Sequence, residues 1–293
     1  MTDLAMKVEA LRQQGLALIR NNQIEESLAL FDEALELSED ETTRELLVIN
    51  KAGAHISLEK SSPEVQQLPQ IVMRRRNLRH VYVASYNLQH KFLIERNFQR
   101  SAFYGKIALQ AADESGEASW RSDVLIALGN ACVYDSRIPD AITYYSETLE
   151  LLSEEQDVAI SRAFCTQNLG YCFLLQGDLV EGIALIHEAV QMISAADAAG
   201  YLAEPYIDLC YGYLELGDVE RAIHFGEMGL DQATEVRQVR NAHYLLGEAA
   251  YKTGDTSRAE YHFEHLAKFY PDFPHLKDLL FALDLRSMVN LKL

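Results

Sequence analysis

The sequence predicts an all-α protein: a right-handed α-solenoid of about seven stacked helical hairpins closed by a C-terminal capping helix. Three observations predict it. The segments GLALIRNNQIEESLALFDEAL (15–35), GYCFLLQGDLVEGIALIHEAV (170–190), YGYLELGDVERAIHFGEMGL (211–230) and GEAAYKTGDTSRAEYHFEHLA (247–267) echo one another. Each echo places a small residue, an apolar or aromatic residue three on, a turn seven on and then a second apolar helix, which is the patterning of two helices that each bury one face. Six prolines and 15 glycines in 293 residues are too few for a linker-rich chain, so the stretches between echoes read as connections in a packed protein.

The elements follow from one alignment. The small residue of the first helix falls at Gly15, Gly53, Gln89, Gly129, Gly170, Cys210 and Gly247. Sixteen positions later, on the second helix, stand Phe31, Pro69, Gly105, Tyr145, Ile186, Gly226 and Phe263. Small residues let two helix axes approach, and large ones fill the space beside them. The repeats run over about 8–41, 46–79, 82–115, 122–155, 163–196, 203–236 and 240–273, within one domain spanning 1–293. Spacing between repeats varies from 36 to 41 while the register inside each is constant, so the slack lies after the second helix. In the second repeat Pro63 and Pro69 predict a distorted second helix. In the last three, Gly177, Gly217 and Gly254 supply turns and the Asp after each can cap the next helix. Beyond Pro271, Leu276, Leu279, Leu280 and Leu283 form a helical stripe, predicting a capping helix over about 274–290. Its apolar tail, Met288 to Leu293, offers a homodimer contact as one option.

This pattern resembles the tetratricopeptide repeat, written W-x2-L-G-x2-Y, then A-x3-F, then P, over 34 residues. The Leu before the small residue recurs as Leu88, Leu128, Leu169, Leu209 and Leu246, and the closing proline is kept as Pro271. The resemblance covers roughly residues 8 to 271, and its long spacing is similar to the longer-repeat type, which includes peptide-sensing domains of bacterial regulators. It implies that first helices line a concave face that grips extended peptides or partner helices. The family's groove positions, carried onto this chain, give Asn50 in the second repeat, Tyr86 and His90 in the third, and Asn130 in the fourth. The fifth gives Phe164, Gln167 and Tyr171, the sixth Ile207 and Tyr211, and the seventh Tyr244, Glu248 and Tyr251. An exposed helix face is normally Lys, Glu and Arg, whereas this one is rich in Tyr, Asn and Gln. Amides can clamp a peptide backbone whatever its sequence, and tyrosines add broad contact at small entropic cost. The bland alternative is that these rings pack on the adjacent first helix. The resemblance also includes chaperone adaptors with a two-carboxylate clamp of Lys, Arg and Asn. Only Arg12 and Asn50 suggest that clamp, and Tyr86 and His90 stand where another cation belongs.

A net charge of −18 opposes nucleic acid and anionic membrane as partners. No apolar run reaches the length of a membrane span, and MTDLAMKVEALRQQG has no basic stretch before an apolar one, so the chain reads as cytoplasmic. The basic island MRRRNLRH (73–80) could touch phosphate, a partner's acidic tail, or the chain's own acids. Cys132, Cys165, Cys172 and Cys210 form no CxxC pair; Cys165 and Cys172, seven apart on one helix, lie about 10 Å apart and cannot bridge. His262, Glu264 and His265 could suggest a metal, but no third ligand is evident and a solvated helix face is the simpler reading. Nucleotide, metalloprotease and hydrolase signatures are absent from the sequence, so no cofactor is expected. The function expected is therefore a non-catalytic protein- or peptide-binding scaffold. A regulatory or peptide-sensing module is the alternative, and a hydrolase with an unrecognised site a further one.

Overall fold

In the computed structural model, which describes residues 3–152, 158–283 and 291–292, every regular element among those residues is helical. The chain forms two compact units, Met1–Ala131 and Cys132–Leu293.

The first unit is built from α1 (Asp3–Arg20), α2 (Ile24–Leu37), α3 (Glu41–Ser57), α4 (Pro63–Arg74), α5 (Leu78–Ile94), α6 (Phe98–Ser115) and α7 (Ala118–Tyr134), the last carrying the unit boundary after Ala131. Helices pair as α1 with α2, α3 with α4 and α5 with α6, and the first helices also touch in succession, α1 with α3 and α3 with α5. A Cβ on Gly15 would sit 2.7 Å from the Phe31 ring, so only glycine lets that ring lie against α1. Phe31 then joins Val8, Leu11, Ala34 and Leu47 in the interior.

The second hairpin keeps this arrangement one residue early. Its fully buried pair is Ala52 and Leu68 rather than Gly53 and Pro69. Gly53 instead faces α5, where a Cβ would lie 3.0 Å from the Asn87 amide, which itself donates to the Ile49 carbonyl at 3.0 Å. The two prolines do not break α4. Pro63 occupies its first position, where the N–H has no intrahelical partner to lose, and the helix runs through Pro69 to Arg74. The third hairpin exchanges sizes: the Gln89 amide fills the space that Gly105 vacates.

The second unit holds α8 (Ile138–Leu152), α9 (Ala159–Gln176), α10 (Leu179–Ala195), a 3-10 turn (Ala199–Tyr201), α11 (Ala203–Leu216), α12 (Val219–Gln232), α13 (Val236–Lys252), α14 (Thr256–Ala267) and α15 (Leu276–Ala282). Here α9 pairs with α10, α11 with α12 and α13 with α14, and the first helices α9, α11 and α13 touch in sequence. Gly247 and Phe263 repeat the Gly15–Phe31 contact, and Gly170 faces Ile186; Cys210 and Gly226 repeat the exchanged order. The turns at Gly177, Gly217 and Gly254 have φ of 91°, 86° and 78°, the left-handed region where a side chain is strained. Asp218 and Asp255 then accept from the N–H of Arg221 and Arg258 at 3.1 and 3.0 Å, capping α12 and α14; Asp178 makes no such bond.

α15 is shorter than the capping helix expected over 274–290. Leu283 is extended and half exposed, and residues 284–290 and 293 lie outside the described residues, as does most of the expected Met288–Leu293 dimer contact. The stripe still works in part: Leu280 is buried, and the Phe281 ring stands edge-on to Phe263 at 5.2 Å. All four cysteines are buried and in no disulfide, and burial pushes the thiols of Cys165, Cys172 and Cys210 up to about 12. No described helix is long and apolar enough to cross a membrane.

Candidate functional site

Three successive first helices of the second unit each present a pair of side chains four residues apart, and such a pair shares one helix face. The pairs are Gln167 and Tyr171 on α9, Glu204 and Asp208 on α11, and Arg237 and Asn241 on α13. Against the wall they form lies a piece of the chain from far along the sequence, Leu291 and Lys292. Asn241 donates its side-chain amide to the Leu291 carbonyl at 2.5 Å, and Arg237 reaches the same oxygen at 3.4 Å. The Leu291 side chain is buried. The Lys292 ammonium donates to Glu204 at 2.7 Å and to both oxygens of Asp208 at 2.8 Å, and sits 4.5 Å from the centre of the Tyr171 ring. Gln167 donates to Asp208 at 2.8 Å, and Arg237 grips Glu204 with two nitrogens at 2.8 and 3.0 Å.

The charges in this site balance, two carboxylates against two cations. Desolvation alone would raise the Glu204 carboxyl, but Lys292 and Arg237 outweigh it and hold the group at about 2. Asp208, more deeply buried, is raised: desolvation dominates, Lys292 opposes it, and the neighbouring Glu204 adds to it. Burial would strip the Lys292 proton, yet Asp208 and Glu204 keep its affinity above the usual lysine value. The arrangement is a backbone clamp beside a pocket for a cationic side chain, with an aromatic face as one wall.

The groove residues read from the sequence are placed unevenly. Gln167, Tyr171 and Tyr211 belong to this wall, the two tyrosine rings 6.1 Å apart. They are buried rather than displayed, so the expectation of an open face needs correcting here: residues 291 and 292 cover Tyr171, Asp208 and Asn241. Ile207 is a packing residue, with its Cγ1 2.8 Å from where a Cβ on Gly229 of α12 would be. Tyr244 and Glu248 are buried on α13. Tyr251 is half exposed, its ring against Phe281 of α15 at 5.5 Å. Phe164 meets Tyr201 edge-on at 5.1 Å. Asn50, Tyr86, His90 and Asn130 fall in the first unit. There Asn50 is buried, Asn130 half-buried and His90 exposed. Tyr86 lies beside Tyr82, which stacks on Trp120 at 4.4 Å, and burial lifts the Tyr86 phenol to about 12. The clamp candidate Arg12 is buried and committed to Glu9 at 2.9 and 2.6 Å.

Sequence reading missed Glu204, Asp208, Arg237 and Asn241. Glu204 and Asn241 stand at the second position of their repeats, so the register held the signal. Asp208 was visible as the lone acid in the apolar run PYIDLCYGYL. Lys292 had no local signal. Elsewhere, the basic island is engaged by acids of the first unit, Arg75 with Glu114, Arg76 with Glu41 and His80 with Glu45. His262 corrects another expectation: it is buried, not solvated, with its Nδ1 3.0 Å from that of His243. Among the described residues no cluster of His, Cys, Asp or Glu has the makings of a metal site.

Residues 241–272 match the family described as tetratricopeptide repeat. No curated protein matches the sequence. Among solved structures, a Rap protein complexed with Competence and Sporulation Factor aligns with a TM-score of 0.71 and 15% identity, covering 96% of this chain and 79% of that one. NprR in complex with its cognate peptide NprX aligns with a TM-score of 0.71 and 12% identity, over 94% and 82%. A tetratricopeptide repeat protein from Parabacteroides merdae gives 0.60 and 12%, over 97% and 100%. At these identities the likeness is one of fold.

Proposed function

We propose that this chain, a protein of the tetratricopeptide-repeat type, is a non-catalytic binder of a protein or peptide segment, taken in extended form against the wall of α9, α11 and α13. One observation carries the reading: a carbonyl of the main chain held by Asn241 and Arg237, with the next side chain in the Glu204–Asp208 pocket. Those are the two parts a peptide site needs, a sequence-blind backbone clamp and a side-chain pocket that reads identity. Both are mounted on packed helices, so the protein's side of the ordering cost is small. A peptide-sensing regulator is the second reading, supported by the fold shared with a Rap protein bound to a factor and with NprR bound to its peptide.

Panning a display library of heptapeptides against the full chain tests the binding reading. Enriched peptides should lose at least tenfold in affinity for the Tyr211→Ala/Asn241→Ala variant, checked for native helicity, and keep their affinity for His90→Ala. Peptides that bind the folded double variant as tightly as the parent contradict the assignment of this wall.

A further inference from the structure

We propose that the pocket of Glu204, Asp208 and Tyr171 is a lysine-reading subsite, which the chain's own Leu291–Lys292 pair fills in place of an incoming peptide carrying an apolar residue followed by lysine. The inference rests on the peptide-binding reading of the same wall and specifies both its ligand and its competitor.

Remove Lys292 and the site keeps two carboxylates against Arg237 alone. The Asp208 side chain is 1% exposed and Gln167 supplies it one neutral donor, so neither water nor that amide replaces an ammonium ion. The charge is therefore balanced either by a cation or by protonation of Asp208, and in this structure Lys292 supplies the cation. Lysine suits it: the ammonium reaches three carboxylate oxygens on two residues of α11, while Arg237 already bridges Glu204 with its planar fork. The Tyr171 face beside that ammonium favours a cation over a neutral donor. The preceding position is set by the buried Leu291 side chain and by the clamp on its carbonyl.

None of these contacts depends on the chain that joins Lys292 to α15. Each uses a backbone carbonyl, an apolar side chain and an ammonium group, which any peptide with Leu-Lys or a similar pair provides. The internal copy differs by being tethered. Its effective concentration is of the order of millimolar, so a free peptide making the same contacts is held off until it exceeds that level or adds contacts of its own. Peptide occupancy is then coupled to release of residues 291 and 292.

The test uses the full chain and a labelled hexapeptide, Met-Val-Asn-Leu-Lys-Leu, the sequence of residues 288–293, followed by fluorescence anisotropy. Lys292→Glu sets a negative charge against Glu204 and Asp208 and should expel the internal pair. The variant is expected to bind the peptide at least tenfold more tightly than the parent chain, and to reject Met-Val-Asn-Leu-Glu-Leu. Adding Asp208→Asn to it should remove that gain. Should Lys292→Glu fail to fold, Lys292→Gln gives the same order with a smaller gain. Equal binding of the two peptides overturns the lysine reading. Equal affinity of parent and variant overturns the internal competition, as does concentration-dependent dimerisation of the parent chain that Lys292→Glu abolishes, since the pair would then dock on a second copy. If the variant ignores both peptides yet still binds panned sequences in an Asn241-dependent way, this inference fails while the peptide-binding wall stands.

Discussion

In the first unit, α3 and α5 bury the neutral polar groups Asn50, Ser85 and Gln89, besides His80, which meets Glu45. In the second, α11 and α13 present Glu204, Asp208 and Arg237 at the matching helices, and the deepest of these, Asp208, is fully buried. Several atoms of the neutral groups, Asn50 Oδ1, Ser85 Oγ and both side-chain amide atoms of Gln89, are buried without a hydrogen-bond partner, at about 1–3 kcal/mol each. A buried carboxylate is different, since it must either gain a countercharge or take up a proton. In this protein that countercharge comes from residue 292, more than 80 residues along the chain from Asp208. Two walls made from one repeat pattern thus differ in kind: the first leaves neutral polar atoms unpaired, and the second pairs its charges with a further piece of polypeptide.

The largest expected effect breaks that contrast directly. Asp208→Ala leaves the Lys292 ammonium buried without its main partner and should cost about 3 kcal/mol in urea unfolding of the second unit. Asn50→Ala in the first unit removes an amide whose Oδ1 has no partner and should cost less than about 1 kcal/mol. Equal losses at the two positions contradict the comparison.

A second experiment asks whether the units share their packing rule. In Gly247→Ala the new Cβ runs into the Phe263 ring, costing about 2 kcal/mol, and Phe263→Leu in the same chain should restore more than half of it. Gly15→Ala with Phe31→Leu should behave alike in the first unit. Thermal melts of the two double-mutant cycles measure this, and a cycle that shows no coupling in one unit separates their packing.

Acid should weaken the second unit gradually. Burial pushes His243 and His262 down to about 4, aided for His262 by His243 and Arg258. The unfolded chain, with ordinary histidines near 6.5, binds more protons between those values. Stability is therefore full above pH 6.5, falls as pH drops towards 4, and loses nothing more from this pair below that. Melting temperature against pH should show the slope, and His243→Asn/His262→Asn should flatten it.

The smallest effects lie in the turns. The first unit turns through Asn22, Glu59 and Arg96 at φ of 60°, 53° and 54°, where the second, after Ser136 at 57°, uses Gly177, Gly217 and Gly254. Arg96→Gly should gain about 0.5 kcal/mol, and Gly217→Ala lose about 1 kcal/mol, in chemical denaturation. A loss on Arg96→Gly contradicts the strain assigned to that turn.

The hairpins were legible because their signals are local. Gly15 and Phe31, or Gly247 and Phe263, stand sixteen residues apart in every clear repeat, and the Gly-Asp turns announce themselves. The second repeat misled because its glycine is not at the helix-pair contact. The turn at Glu59, seven after Ala52, marks the true register. On the site, Gln167, Tyr171 and Tyr211 were legible as non-lysine, non-glutamate residues on a first-helix face. Their burial was not, because it depends on Leu291 and Lys292, whose position no local pattern encodes. Ile207 shows the limit of register transfer: its position matched the family groove, but the small Gly229 opposite drew its side chain into the hairpin.

The most direct test is photo-crosslinking of the Lys292→Glu chain with the hexapeptide carrying a diazirine-bearing lysine at its fifth position, read by mass spectrometry of the labelled fragments. Label on α11 between 203 and 216, or on Tyr171 of α9, and its loss on adding Asp208→Asn, is the predicted result. Label concentrated on α3 or α5 of the first unit, or spread evenly over the exposed surface, contradicts the account.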